Sequence, residues 1–138
     1  MASITLAEAE KALAAAKAKV LAMGAKMSVS VVDPRGDLIA MFRTDGASWR
    51  TPAISRGKAL AAACFGRSSA DMADNAQSPV LRGLMAMEGG HMIPGQGALP
   101  AFRDGEIVGA IGGSGGTGQQ DEDAARAGIE AAGLSTKG

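Results

Sequence analysis

The sequence predicts an α+β domain built on an antiparallel sheet, with elements in the order α-β-β-α-α-α-β-β-α. Two turn signals carry the sheet: Asp33-Pro34-Arg35-Gly36 and Asp104-Gly105 each separate a pair of short apolar runs rich in β-branched residues. The helical patterns lie before, between and after these hairpins and do not alternate with single strands, so a βαβ architecture is excluded. With 138 residues the chain is the size of one domain, spanning 1–138, with no room for two.

Thr5-Leu6-Ala7-Glu8 is a capping box, in which Thr5 bonds the amide of Glu8 and Glu8 reaches back. The alanine-rich stretch behind it has high helix propensity. Leu6, Ala9, Leu13, Val20 and Met23 mark its apolar stripe, and Gly24 stops it. Met27–Arg43 reads as a hairpin: Met27 to Asp33 out, a type I or II turn with Pro34 in second place, Asp37 to Phe42 back. Thr51-Pro52 sets a cap and a first-turn proline for a helix that ends near Phe65 and is closed by Gly66. Ser68 caps a short helix to Asn75, and Pro79 opens another to Met87. Gly89 to Gly97 is irregular. Leu99–Arg103 and Glu106–Ile111 flank Asp104-Gly105 as the second hairpin, a glycine run covers Gly112–Gly118, and an acid-capped helix follows from Gln120 to Ala132.

Composition removes several classes of function. Lys plus Arg number 14 and Asp plus Glu 14, and this balance argues against a polybasic nucleic-acid binder and against an acidic tail protein. Aromatics are 3% with no Tyr, which excludes a base-stacking platform. No apolar run approaches the ~18–20 residues of a membrane span, and the single Cys64 excludes an intrachain disulfide, so the cytoplasm is the expected compartment. Leu, Ile, Val and Phe together are only 25 residues; the apolar mass is Ala and Met, and Gly is 20 residues. Thin side chains imply close backbone packing, and a core of alanines gains little per residue. Self-association is one way for so small a domain to bury more.

Few residues carry candidate chemistry. Gly113-Ser114-Gly115-Gly116-Thr117-Gly118 spells G-x-G-x-x-G between a strand and a helix. Only about 20 residues follow it, too few for the second strand and ribose carboxylate of a dinucleotide site. Asp121, Glu122 and Asp123 also crowd the helix end where a pyrophosphate needs positive potential. A phosphate loop fails because Gln119-Gln120 stands where Lys-Ser/Thr is required. The glycines instead point to close approach of a ligand or a neighbouring subunit. His91, the one histidine, suits an axial metal or haem ligand, a proton-transfer group, or a loop imidazole bonded to backbone. Arg56 and Lys58 can hold a carboxylate or form a solvated face. Met72, Met85, Met87 and Met92 line a pocket or fill the core, and Cys64 reads as a small buried hydrophobe.

Val31-Val32-Asp33-x-x-Gly36 followed by Leu38-Ile39-Ala40 resembles the first hairpin of the GlcG/HbpS-like haem-degrading family, which includes the C-terminal domain of PduO-type proteins. Lys58-Ala59 in an alanine-rich helix closed by Phe65-Gly66-Arg67 is similar to a second motif of that family. Asp104-Gly105-Glu106-Ile107-Val108-Gly109-Ala110-Ile111-Gly112-Gly113-Ser114-Gly115, with Gln120-Asp121, is similar to its most specific signature. The resemblance covers nearly the whole chain. It implies a profilin-like fold, a homo-oligomer that is often an octamer, and binding of haem or a corrinoid-related ligand. The chain departs from the pattern at Pro94–Pro100, where the spacing differs, and at Gly113, which replaces a usual Val.

The resulting expectation is a cytoplasmic, homo-oligomeric, small-molecule-binding protein, with haem or a related tetrapyrrole in a glycine-lined pocket. Arg56, Lys58, His91, Met92, Gly95, Gly97, Gly113, Ser114 and Gly115 are the expected ligand-binding residues, with His91 the metal ligand if haem is bound. The competing expectation is a cofactor-independent enzyme acting on a small organic acid or carbonyl compound. There Lys58 or Arg56 anchors the substrate, amides of the glycine run hold an oxyanion, and His91 or Glu88 moves the proton. A third, a purely structural assembly subunit, predicts no ligand response.

Overall fold

The computed structural model describes residues 2–138. Its elements are α1 (Leu6–Ala22), β1 (Ser28–Val32), β2 (Leu38–Arg43), α2 (Thr51–Phe65), a 3-10 helix (Ser69–Asn75), α3 (Pro79–Met87), β3 (Ala98–Arg103), β4 (Glu106–Ser114) and α4 (Gly118–Ala131). The four strands form one antiparallel sheet in the order β2-β1-β4-β3. Each predicted hairpin is therefore one half of the sheet, and the β1–β4 pair joins the halves. The α+β class and the element order follow the sequence expectation.

Local chemistry explains the turns. Asp104 and Gly105 both have positive φ, 51° and 79°, as the twist-compatible two-residue hairpin turn requires. At the first turn the Asp33 carboxylate accepts from the amides of Arg35 and Asp37, both at 2.9 Å, while Gly36 N donates to Asp33 O at 2.9 Å. A Cβ on Gly36 would lie 2.1 Å from Leu60 Cδ1, so this turn is seated directly on α2. The Thr5/Glu8 capping box forms as predicted.

The sheet is covered on both faces. Val29, Val31, Leu99 and Ile111 face α1 and α4, where Ala9, Ala12, Ala16, Val20, Ala124, Ala125 and Ile129 complete the larger core. Residues of opposite parity face α2: Val32, Ala98 and Ala110 meet Ala59, Ala62 and Ala63. Ser28 and Ser30 of β1 also point at α2, bonding Thr51 Oγ1 at 2.8 Å and Ser55 Oγ at 2.7 Å. A third cluster, Leu60, Ala61, Met72, Leu81 and Met92, lies under α3. Small residues set the spacing: a Cβ on Gly112 would sit 2.4 Å from Ser55 O.

Several expectations are corrected. The buried stripe of α1 is Ala9, Ala12, Ala16 and Val20, whereas Leu6 is 58% exposed, because α1 lies too close to α4 for larger side chains along the seam. Thr51 does not cap α2; it is buried inside the first turn and donates to Ser48 O at 2.8 Å. β4 continues through Gly112, Gly113 and Ser114, which pair with Ser30, Val29 and Ser28. The cap of α4 is Thr117 in a box with Gln120, not an acidic residue. Ser68 caps a 3-10 helix. Cys64 is exposed at the end of α2 rather than buried, with its thiol held above the ordinary value first by desolvation and then by the Glu88 carboxylate.

Candidate functional site

The β1–β2 turn, the outer side of α2 and the Met87–Ile93 segment enclose a cleft of about 530 Å³. Its polar wall is Arg35, Asp37, Arg56, Glu88 and His91; Leu60, Met87 and Ile93 supply the apolar surface. Arg56 forms no ion pair among the described residues. Arg35 forks onto Glu88, with Nη1 donating to Oε1 at 2.8 Å and Nη2 to Oε2 at 3.2 Å. That guanidinium holds the Glu88 carboxyl below its usual range, so at neutral pH Glu88 is an ion-paired acceptor and has no proton to give. His91 is exposed on the rim, its ring lying over Gly89. The cleft floor is backbone: a Cβ on Gly57 would be 2.4 Å from His91 O.

A second constellation lies apart from this cleft. Lys58 Nζ donates to Asp121 Oδ2 at 2.9 Å and to Gly113 O at 3.1 Å, and Asp121 Oδ1 accepts from Gly116 N at 2.9 Å. The pair is enclosed, with side chains 11% and 3% exposed. Burial pushes the Asp121 carboxyl up, with Lys58 and Gly116 opposing it. This knot ties α2, β4 and the start of α4 together.

The expected site residues thus divide. Arg56, Glu88 and His91 share the cleft. Lys58, Gly97 and Gly113 gather at Asp121, where a Cβ on Gly97 would lie 2.9 Å from Lys58 Nζ, from Asp121 Cβ and from Gly113 O. Met92 is buried in the cluster beneath α3. Ser114 ends β4 opposite Ser28, Gly115 is exposed against the Lys26 backbone, and Gly95 lies in the loop with its N–H on Ile93 O. The amides of Gly113 and Gly116 already donate within the protein, to Gly97 O and Asp121 Oδ1. An oxyanion role for those two amides, and a substrate-anchoring role for Lys58, would each require breaking an existing bond. Sequence reasoning missed Arg35 and Asp121; Arg35 reads as an ordinary turn residue, and the trace of Asp121 is its place at the end of the second-hairpin signature.

Among the described residues no helix is long and apolar enough to cross a membrane, and no group of three His, Cys, Asp or Glu side chains is placed to hold a metal ion. One four-stranded antiparallel sheet with helices on both faces and a charged cleft beside its first hairpin defines a compact α+β class. Residues 4–130 match the family model for haem degrading protein HbpS-like, and the chain belongs to that family. It is 36% identical over 122 residues to an uncharacterized 15.0 kDa protein of the dhaT-dhaS intergenic region in Citrobacter freundii, covering 88% of this chain and 86% of the relative. The Klebsiella pneumoniae protein ORFY is similar in structure, with a TM-score of 0.87 at 29% identity over 96% of this chain and 92% of that one. A PduOC–haem complex gives 0.88 at 25% identity over 99% of both chains.

Proposed function

We propose that this protein binds haem or a related tetrapyrrole in the cleft beside the first hairpin. The observation that carries the reading is Arg56, a cation with no ion pair among the described residues, sharing one cleft with the His91 imidazole and the apolar Leu60, Met87 and Ile93. A cation suits a propionate, an imidazole suits iron, and the apolar side chains suit a macrocycle face. The volume lies within the ~300–1,000 Å³ of small-molecule sites. Similarity to the PduOC–haem complex supports the same ligand class. When bound, haem would supply a redox-active iron; the chain's own part is to hold the carboxylates at Arg56 and to present His91.

Haem titration tests this. The wild type is expected to develop a shifted Soret band, and His91→Ala to lose that shift and bind at least about tenfold more weakly, ~1.4 kcal/mol. An unchanged spectrum in the variant removes His91 as the donor. A wild type that takes up no haem overturns the ligand class, and thermal stabilisation by a small carboxylate would then favour the enzyme reading.

The reading includes self-association as a homo-oligomer, an octamer by resemblance. α3 buries only Leu81 while Val80 and Met87 are 84% and 83% exposed, and Trp49 is 75% exposed on the α2 approach. Light scattering is expected to give about 110 kDa, eight copies of the 13.7 kDa chain. A particle of one chain mass at micromolar concentration would overturn it. An exposed free Cys64 suits the reducing cytoplasm.

A further inference from the structure

We propose that Glu88 is a built-in competitor for an anion seat at Arg35, so that the cleft selects diacids: one ligand carboxylate goes to Arg56 and the second displaces Glu88 from Arg35. The inference rests on the reading of this cleft as a ligand site, and it adds which charge pattern the ligand carries.

Arg35 is held at a fixed place. Its turn is pinned by the two amides on Asp33 and by the contact of Gly36 with Leu60, while its side chain remains 67% exposed and accessible. Among the described residues the Glu88 carboxylate is bonded by Arg35 alone. Glu88 follows the last residue of α3, a nine-residue helix anchored by one buried residue, Leu81, with Leu84 and Met85 half-buried beside it. Directly after it come Gly89 and Gly90, with φ of 68° and 77°. Gly89 N and Gly90 N donate to Ala86 O and Met85 O and close the helix end, so the exchange needs a rotation of the Glu88 side chain and no backbone movement. The Glu88 side chain is 17% exposed, so the exchange turns a mostly covered carboxylate out toward solvent.

Electrostatics gives the exchange its direction. A carboxylate at the C-terminal end of a helix opposes the helix dipole, and Arg35 is what offsets it. The pair is open to solvent on the Arg35 side, at 67% against 17% for Glu88, and exchanging it for an equivalent forked pair with a ligand keeps the same kind of bond at Arg35. In the wall, Arg35 and Arg56 are matched by Asp37 and Glu88, with His91 the remaining titratable side chain. Freed from Glu88, Arg35 offers a second guanidinium in the same cleft as Arg56, with Leu60, Met87 and Ile93 as its apolar lining. A ligand with a single carboxylate has Arg56 available and gains nothing by opening the pair. A ligand with two recovers at Arg35 the same forked bond that Glu88 gives up.

Fluorescence titration of wild type, Glu88→Gln, and Arg35→Ala with protoporphyrin IX, its dimethyl ester and adipate tests the proposal. Glu88→Gln removes the competitor and keeps the side-chain shape; it is expected to bind the diacid porphyrin about fivefold more tightly, with ester binding unchanged. Arg35→Ala is expected to shrink the preference for diacid over ester, and Glu88→Gln in that background to add nothing. Equal diacid affinity in wild type and Glu88→Gln, with porphyrin bound by both, overturns the competitor and leaves the tetrapyrrole reading standing. No porphyrin bound, but adipate bound more tightly by Glu88→Gln, overturns the tetrapyrrole reading and upholds the competitor. Neither diacid bound by any variant overturns both.

Discussion

Gly109→Ala is expected to remove a large share of the stability of the fold. Gly109 has φ of 151°, and a Cβ there would lie 2.1 Å from Val32 O and 2.8 Å from Ile4 Cδ1. Val32 O is backbone of the central β1–β4 pair, and Gly109 sits where the register with β3 shifts, between the Ala101–Gly109 and Phe102–Ile107 pairs. Ile4 Cδ1 can rotate away, but Val32 O cannot yield without opening the β1–β4 ladder, which is the usual reason for glycine at such a bulge. Backbone strain of ~1–3 kcal/mol and overpacking of a similar size together give about 4 kcal/mol. Against the ~0.05–0.15 kcal/mol per residue of a typical domain, that is a large share of the total. Gly24→Ala is the control, since its φ is 67° but nothing lies within 4 Å of its Cβ position. Urea denaturation should separate the two variants widely; equal midpoints would show that the bulge relaxes.

Lys58→Met should be nearly as damaging at neutral pH, because it leaves the Asp121 carboxylate buried with one remaining bond, to Gly116 N. Breaking one side of a buried pair costs ~3–5 kcal/mol. The loss has a defined pH dependence. Burial already raises the Asp121 pKa above its ordinary 3.8, and removing Lys58 raises it further. For a carboxyl whose folded pKa lies above its unfolded one, stability is full below the unfolded value and falls as pH rises through the folded value. The deficit of Lys58→Met against wild type should therefore be smallest near about pH 4 and grow toward about pH 7.5. Adding Asp121→Asn should recover much of it at the higher pH. A deficit equal at both pH values would show that Asp121 finds another partner or stays ionised without cost.

Asp33-Pro34-Arg35-Gly36 and Asp104-Gly105 identified both hairpins because turn conformation depends on a few adjacent residues. Thr5 and Glu8 identified the first helix start for the same reason. Misreadings arose where side-chain size or partner distance mattered. Leu6 outranks Ala12 in hydrophobicity, yet Ala12 is buried and Leu6 exposed, since two helices in close contact admit only small residues. Gly112 and Gly113 gave no strand pattern because they have no side chain to show alternation, although both lie in β4. Asp121 looked like a partner for a helix N-terminus, and its deep burial has no local signature.

The sequence by itself determined the α+β class, the order of elements, both hairpin turns and the family, all of which rest on residues near one another in the chain or on motifs spelled out along it. Only the tertiary structure decided which polar groups meet. Lys58 and Asp121 are 63 positions apart, and Arg35 and Glu88 are 53. Each pair forms because the sheet order β2-β1-β4-β3 and the seating of α2 across it bring distant segments together. An ion pair takes its strength from separation and burial in space. Neither quantity is written in any short stretch of sequence, so the expected binding residues divided between an open cleft at Arg56 and His91 and a closed structural knot at Lys58.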